Sequence, residues 1–266
     1  MSLPPTFLHR NFRTTVPSSL GRCLPSLILG ALTLGTNAIG GPPLLTDDPG
    51  TPGPNHWEIN FAGTSENTKD EWKFEVPLLD LNYGIGEHLQ LKYEVPLVVL
   101  DAKNEAACAG IGNSLIGVKW RFLDQDKAWL DVSTYPQFEF NHGNSSVNLS
   151  LAEPGSSLLL PFELSHKFQR LTVYGEVGFS FNQRRSDEWL YGIAAEYEIS
   201  EKFSIMGEFH GGGDYRLHDD QLVSNIGLHW QFSKNLSLLT SVGRAVRSTQ
   251  PGEPRFLSYV ALQCTF

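Results

Sequence analysis

From residue 55 to the C-terminal Phe266, apolar and polar side chains alternate with a period of two, segment after segment. Twelve segments follow one another: 55–63, 72–84, 88–100, 111–122, 128–140, 157–168, 171–182, 188–199, 202–212, 221–232, 235–246 and 255–266. That period puts alternate side chains on opposite faces of a strand, so each segment has one apolar and one polar face. In 188–199, Trp189, Tyr191, Ile193, Ala195, Tyr197 and Ile199 oppose Glu188, Gly192, Glu196 and Glu198. In 88–100, Leu89, Leu91, Tyr93, Val95, Leu97 and Val99 oppose Gln90, Lys92 and Glu94. The phase of 72–84 changes near Leu78 and Leu79, where a bulge is expected. No helical period of useful length follows the first forty residues. The fold class is therefore all-β, either a soluble sandwich or barrel or a closed barrel in a membrane.

Three features favour a closed antiparallel up-and-down transmembrane β-barrel of about twelve strands. Short connections, such as 85–87, 169–170 and 233–234, alternate with longer polar ones, such as 65–71, 101–110, 141–156 and 213–220. Short periplasmic turns and long outer loops give that rhythm. Aromatic residues on the apolar faces, among them Trp57, Tyr83, Trp120, Phe168, Trp189, Trp230 and Phe232, gather near strand ends. Rings prefer the boundary between membrane and water. The last strand alternates back from Phe266 through Cys264, Leu262, Val260 and Ser258. A terminal aromatic in that setting is the expected outer-membrane insertion signal, read by the barrel-assembly machinery. The polar mean hydropathy of −0.19 excludes a bundle of membrane helices, which needs apolar runs of about 20 residues.

Residues 1–38 read as a signal peptide. Arg10, Arg13 and Arg22 precede the apolar run Leu24–Gly35, and Thr36-Asn37-Ala38 offers a cleavage site. Removing them takes three Arg and no acid, so the formal charge goes from −9 to −12. So acidic a chain is not expected to bind nucleic acid. Residues 39–54, rich in Pro and Gly, read as an extended periplasmic arm, with plugging of the lumen the less favoured alternative. The barrel itself spans 55–266. Cys108 is expected in an outer loop and Cys264 on the lipid face near the periplasmic end, too far apart for a disulfide.

If apolar faces meet lipid, polar faces line the lumen. The candidate lumen and selectivity residues are Glu94, Lys119, Arg121, Glu176, Glu196 and His229, in a lumen where acids outnumber bases. Either a cation-favouring or neutral-solute pore, or a packed interior of paired charges, fits this pattern. No metal site or cofactor is expected, and no enzyme. The loop Asn141-His142-Gly143-Asn144-Ser145-Ser146 holds Ser and His, as twelve-stranded outer-membrane phospholipases use, but without the strand geometry of a triad. The acidic stretch Asp214, His218, Asp219, Asp220 reads as a solvated loop rather than a cation site.

Pro43-Leu44-Leu45-Thr46-Asp47-Asp48-Pro49-Gly50-Thr51-Pro52, followed by HWEINFA, resembles the start of a family of bacterial outer-membrane proteins, the putative MetA-pathway of phenol degradation family. Further matching stretches are 75–97, 110–122 and 173–181. Asn113 departs from the pattern, standing where the family often has Asp. The resemblance implies a passive channel or transporter for small solutes, aromatic or apolar compounds among them, and brings no catalytic residues. The expected location is the bacterial outer membrane, with its lipid, the assembly machinery and the small-molecule solute as partners. A structural barrel that binds through its outer loops is the alternative, and a lipid-modifying enzyme a distant third.

Overall fold

The computed structural model describes residues 42–216, 220–249 and 252–266. Residues 1–38, read as the signal peptide, lie outside the described residues. Twelve strands form one closed antiparallel barrel. They are β1 (Trp57–Asn67), β2 (Glu71–Ile85), β3 (Leu89–Ala102), β4 (Cys108–Ile111 and Ser114–Leu123), β5 (Asp131–Thr134 and Gln137–Phe140) and β6 (Ser156–Phe168). Then come β7 (Leu171–Asn182), β8 (Glu188–Ser200), β9 (Phe203–Asp214), β10 (Asp220–Ser233), β11 (Leu236–Ser248) and β12 (Phe256–Thr265). Each strand pairs with its sequence neighbours, and β12 returns to β1 in register from Glu58↔Thr265 to Asn67↔Phe256. Phe266 extends that seam: its N–H donates to the Trp57 carbonyl at 3.1 Å, and its carbonyl accepts from the Trp57 N–H at 2.7 Å.

Two strands read as continuous are each interrupted. β4 breaks at Gly112 and Asn113, where the Gly112 N–H still reaches the Pro96 carbonyl at 3.1 Å. β5 breaks at Tyr135 and Pro136, since proline lacks the N–H a ladder needs. Inward alternation nevertheless continues through the break: Ser133, Tyr135, Gln137 and Glu139 are all buried. The bulge expected near Leu78 and Leu79 falls between Glu75 and Leu78.

Short turns gather at one end of the barrel, such as 86–88, 169–170, 201–202 and 234–235. The longest connection, 141–155, lies at the other, the loop end. β1 and β2 run further than the sequence indicates, leaving only 68–70 between them. Two short helices, α1 (Gln125–Ala128) and α2 (Asn144–Asn148), sit in connections at the turn end and the loop end.

The outward face is a belt of exposed apolar side chains, including Phe61, Ile116, Phe162, Ile193, Ile226 and Val260. Trp57 and Tyr83 at the turn end have ring centroids 4.7 Å apart, and Trp230 and Phe232 4.5 Å. At the loop end Trp72 lies 6.1 Å from Phe256, and Phe179 4.8 Å from Trp189. Two aromatic bands with an apolar belt between them are the form of a barrel that crosses a membrane. Cys108 starts β4 at the loop end and Cys264 lies on β12 near the turn end, and neither forms a disulfide. A barrel closed by full backbone ladders resists detergent, so an unheated sample on a denaturing gel should migrate differently from a boiled one. Identical mobility would contradict the closed fold.

Candidate functional site

The inward faces of β1–β6 carry one connected set of polar groups. Lys92 lies 3.0 Å from the Glu94 carboxylate and 3.4 Å from Asp80. The Asn60 and Asn82 amides each donate to Asp80 at 3.0 Å. Gln90 donates to the Asn82 side chain at 2.8 Å and to the Tyr135 hydroxyl at 3.4 Å. The Lys119 ammonium stands over the Tyr135 ring, 4.7 Å from its centroid, and 3.4 Å from Glu163. Glu163 also accepts from the Ser133 hydroxyl at 2.5 Å. On the next strand, β7, Glu176 stands directly across from Glu163 and faces His210 on β9 at 3.5 Å.

The segment read as a periplasmic arm completes this interior. Residues 42–50 lie inside the lumen, and Leu44, Thr46, Asp47 and Pro49 are buried there. Leu44 packs against Tyr174, Ala194 and Met206 on β7, β8 and β9. The Leu45 and Thr46 N–H groups donate to the two Glu208 carboxylate oxygens at 2.8 and 2.7 Å. Lys119 pairs with the Asp47 carboxylate at 2.8 Å and donates to the Asp48 carbonyl. The Ser241 hydroxyl donates to the Pro43 carbonyl at 2.5 Å. The arm then leaves along the turn end, where the Thr51 hydroxyl donates to the Glu87 carbonyl at 3.1 Å. Gly84 is required there, because a Cβ at that position would run into the Gly53 carbonyl. The reason the arm enters is electrostatic: a carboxylate and a run of backbone donors meet buried groups of complementary sign. Prolines 42, 43, 49, 52 and 54 limit the arm's freedom before it docks, which lowers the entropy lost on docking.

Three of the six candidate residues lie buried in this interior: Glu94, Lys119 and Glu176. Glu196 and His229 are half-buried on β8 and β10. Arg121 sits apart, at the turn-end mouth, donating to the Glu87 carbonyl at 2.9 Å and lying 3.1 Å from Asp124. Desolvation would raise the Asp124 pKa, but its Lys127 hydrogen bond and the His88 and Arg121 charges outweigh it and hold it below the usual carboxylate range. The sequence alone does not single out Asp47 or Thr46 as members of this interior, nor Glu208 among its inward carboxylates. The Leu-Leu-Thr-Asp-Asp run among prolines was the available signal, since an apolar pair beside acids is unusual for a free tail.

At the loop end Leu149 and Leu151 of the long loop pack on the inward Val98 and Leu100, covering one side of the mouth. On the other side an open cavity of about 50 Å³ reaches down to Pro43, Leu44 and Leu45 between Glu75, Asn225 and Tyr259. A smaller one of about 10 Å³ lies beside the arm at Asp80, Lys92 and Glu94, and shares Leu44 and Tyr259 with the first. His142 accepts or donates a hydrogen bond with Ser114 at 2.7 Å, but Ser114 is fully buried, and Ser145 lies in α2. Of the acidic stretch at 214–220, His218 and Asp219 lie outside the described residues.

Residues 43–258 match the family described as Putative MetA-pathway of phenol degradation. The chain belongs to this family. No curated protein matches it. The fold is similar to that of an outer membrane channel from Pseudomonas putida F1, with a TM-score of 0.69 at 11% identity over 83% of this chain and 98% of that one. It is also similar to the NanC porin, TM-score 0.58 at 10% identity over 77% and 98%. The KdgM porin gives 0.57 at 11% over 79% and 99%. At these identities the likeness is one of fold.

Lys119 is the cation that most of the interior leans on. Replacing it with Met should lower stability by about 3–5 kcal/mol, because Asp47 and Glu163 would be left as uncompensated buried charges. Thermal unfolding in detergent measures this. Adding Asp47→Asn to the Lys119→Met chain should recover part of the loss, and no recovery would show that the arm contact is unimportant.

Proposed function

We propose that this protein is a passive outer-membrane channel for small solutes, with residues 42–54 lying across its lumen. The observation that carries the reading is the open cavity beside the arm, which reaches from the loop-end mouth to Leu44, with a water-sized one at the Lys92–Asp80–Glu94 cluster. A barrel serving only as a membrane anchor has no need of such an opening. The outward belt and aromatic bands fit a membrane, and the family and fold relatives support the outer one. On this reading the turn end faces the periplasm, the belt contacts lipid, and Phe266 is the residue that the assembly machinery recognises.

Selectivity follows from what lines the path. Buried inward carboxylates include Glu75, Asp80, Glu94, Glu139, Glu163, Glu176 and Glu208, against the lysines Lys92 and Lys119. Such an interior disfavours free anions and admits cations and neutral molecules. Leu44, Leu257 and Tyr259 give the upper cavity an apolar side, which suits solutes with an aromatic or aliphatic body. The arm's packing in the lumen favours a second reading, a sealed structural barrel that binds through its loops.

Flux separates the two. Liposomes carrying the protein should pass small neutral and cationic solutes faster than anions of equal size. Equal impermeability to all three, in protein shown to be folded, would leave the sealed barrel as the better account.

A further inference from the structure

We infer that the lumen holds a ligand site now occupied by the arm, built for a molecule that joins an apolar group, adjacent amide N–H donors and a carboxylate. A short acidic peptide or an N-acylated acidic amino acid has that chemistry. The inference rests on the lumen being the solute route.

The wall supplies every part of the site. Glu208 is buried, and its two oxygens are set to accept from two successive N–H groups, with Asn225 donating to one of them at 2.6 Å. Lys119, equally buried, takes a carboxylate and the next carbonyl. Between them Tyr174, Ala194 and Met206 hold an apolar side chain. Gly227 leaves the floor open, because a Cβ there would stand 3.3 Å from both Leu44 and Pro43. Ser241 anchors the preceding carbonyl. These are wall groups, complementary to a peptide unit and not to a bare hydrocarbon. A neutral aromatic molecule in the arm's place would return neither the two N–H groups that Glu208 accepts from nor the Asp47 carboxylate that Lys119 pairs with, leaving the wall's Asn225 and Glu163 to meet them.

The site also lies where a solute would meet it. The larger cavity descends from the loop end onto Pro43, Leu44 and Leu45, so an incoming molecule reaches the place the arm fills. Arm and ligand therefore compete for Glu208 and Lys119, and a ligand whose carboxylate takes the place of Asp47 on Lys119 displaces the arm without adding charge to a lumen that disfavours free anions. In the docked state the arm acts at the effective concentration of a tethered segment, which a free ligand must overcome.

The probe is the N-acetylated heptapeptide of residues 44–50, added to the full chain carrying Leu44→Asp, which places a charge in the apolar pocket and unseats the arm. Thr46→Pro, which removes an N–H donated to Glu208, serves as a second unseating variant should the first not fold. Heat-dependent gel mobility verifies the barrel in each. In planar bilayers the unseated chain should conduct more than the unaltered one, and the peptide should block it. Adding Lys119→Met or Glu208→Gln should raise the blocking concentration by at least about tenfold, as loss of a charge-assisted bond does. A conducting chain that the peptide does not block, or blocks equally without Lys119 and Glu208, overturns the site and leaves the channel standing. If no unseated chain conducts, the channel reading falls instead. Calorimetric titration of the peptide then decides the site alone: binding that needs Lys119 supports it, and no binding overturns it.

Discussion

Closing a sheet removes its unpaired edges and at the same time creates an interior that every strand must share. In hydrocarbon an unpaired backbone group costs several kcal/mol, so closure is obligatory. The β1–β12 seam, extended by Trp57 and Phe266, achieves it. The cost appears inside, where the polar faces of twelve strands bring many carboxylates together around two lysines. Lys92 answers Asp80 and Glu94, and Lys119 answers Glu163. Glu208 finds only Asn225 from the wall.

The arm resolves what the wall leaves over. Its amides satisfy Glu208, its Asp47 carboxylate balances Lys119, and its Leu44 fills the apolar gap between β7 and β9. Most of these contacts are polar and none is covalent. Groups of that kind can be exchanged for water or for a solute of similar chemistry with a modest net change in free energy. A segment held this way can obstruct a lumen and still be moved from it, which an apolar plug of the same size would resist. The long loop covers the opposite side of the mouth through Leu149 and Leu151, so the remaining cavity lies along β1, β2 and β10–β12.

Much of this architecture is legible in the sequence because a period of two carries its own geometry. Once Val177 on β7 and Phe209 on β9 are placed outside, Glu176, Glu208 and His210 must point inside, and all three are buried. The aromatic bands and the terminal pairing of Phe266 follow from the same alternation. The break at Tyr135–Pro136 does not disturb the alternation, whereas the one at Gly112–Asn113 shifts it by one residue: Cys108 and Gly110 pair with inward Leu100 and Val98, but Leu115, Gly117 and Lys119 pair with inward Glu94, Lys92 and Gln90. The arm was misread for a different reason. Its partners Glu208 and Ser241 lie 162 to 198 residues away, and a proline-rich segment has no periodicity to announce which surface it meets. Arg121 shows the limit of assigning lumen roles by phase alone: it keeps the inward phase, but at the strand end its guanidinium meets the turn carbonyl of Glu87 and Asp124.

The lumen is obstructed by its own arm in a way that can be released. A disulfide between Pro43→Cys and Gly227→Cys, where a Cβ on residue 227 would stand 3.3 Å from the Pro43 Cγ in the docked state, tests it in single molecules. With Cys108 and Cys264 replaced by Ser, single-channel conductance would be recorded first oxidised and then after reductant. The account predicts low conductance while the arm is tethered and a reversible rise on reduction. The same conductance in both states, with the disulfide shown to have formed, would contradict it.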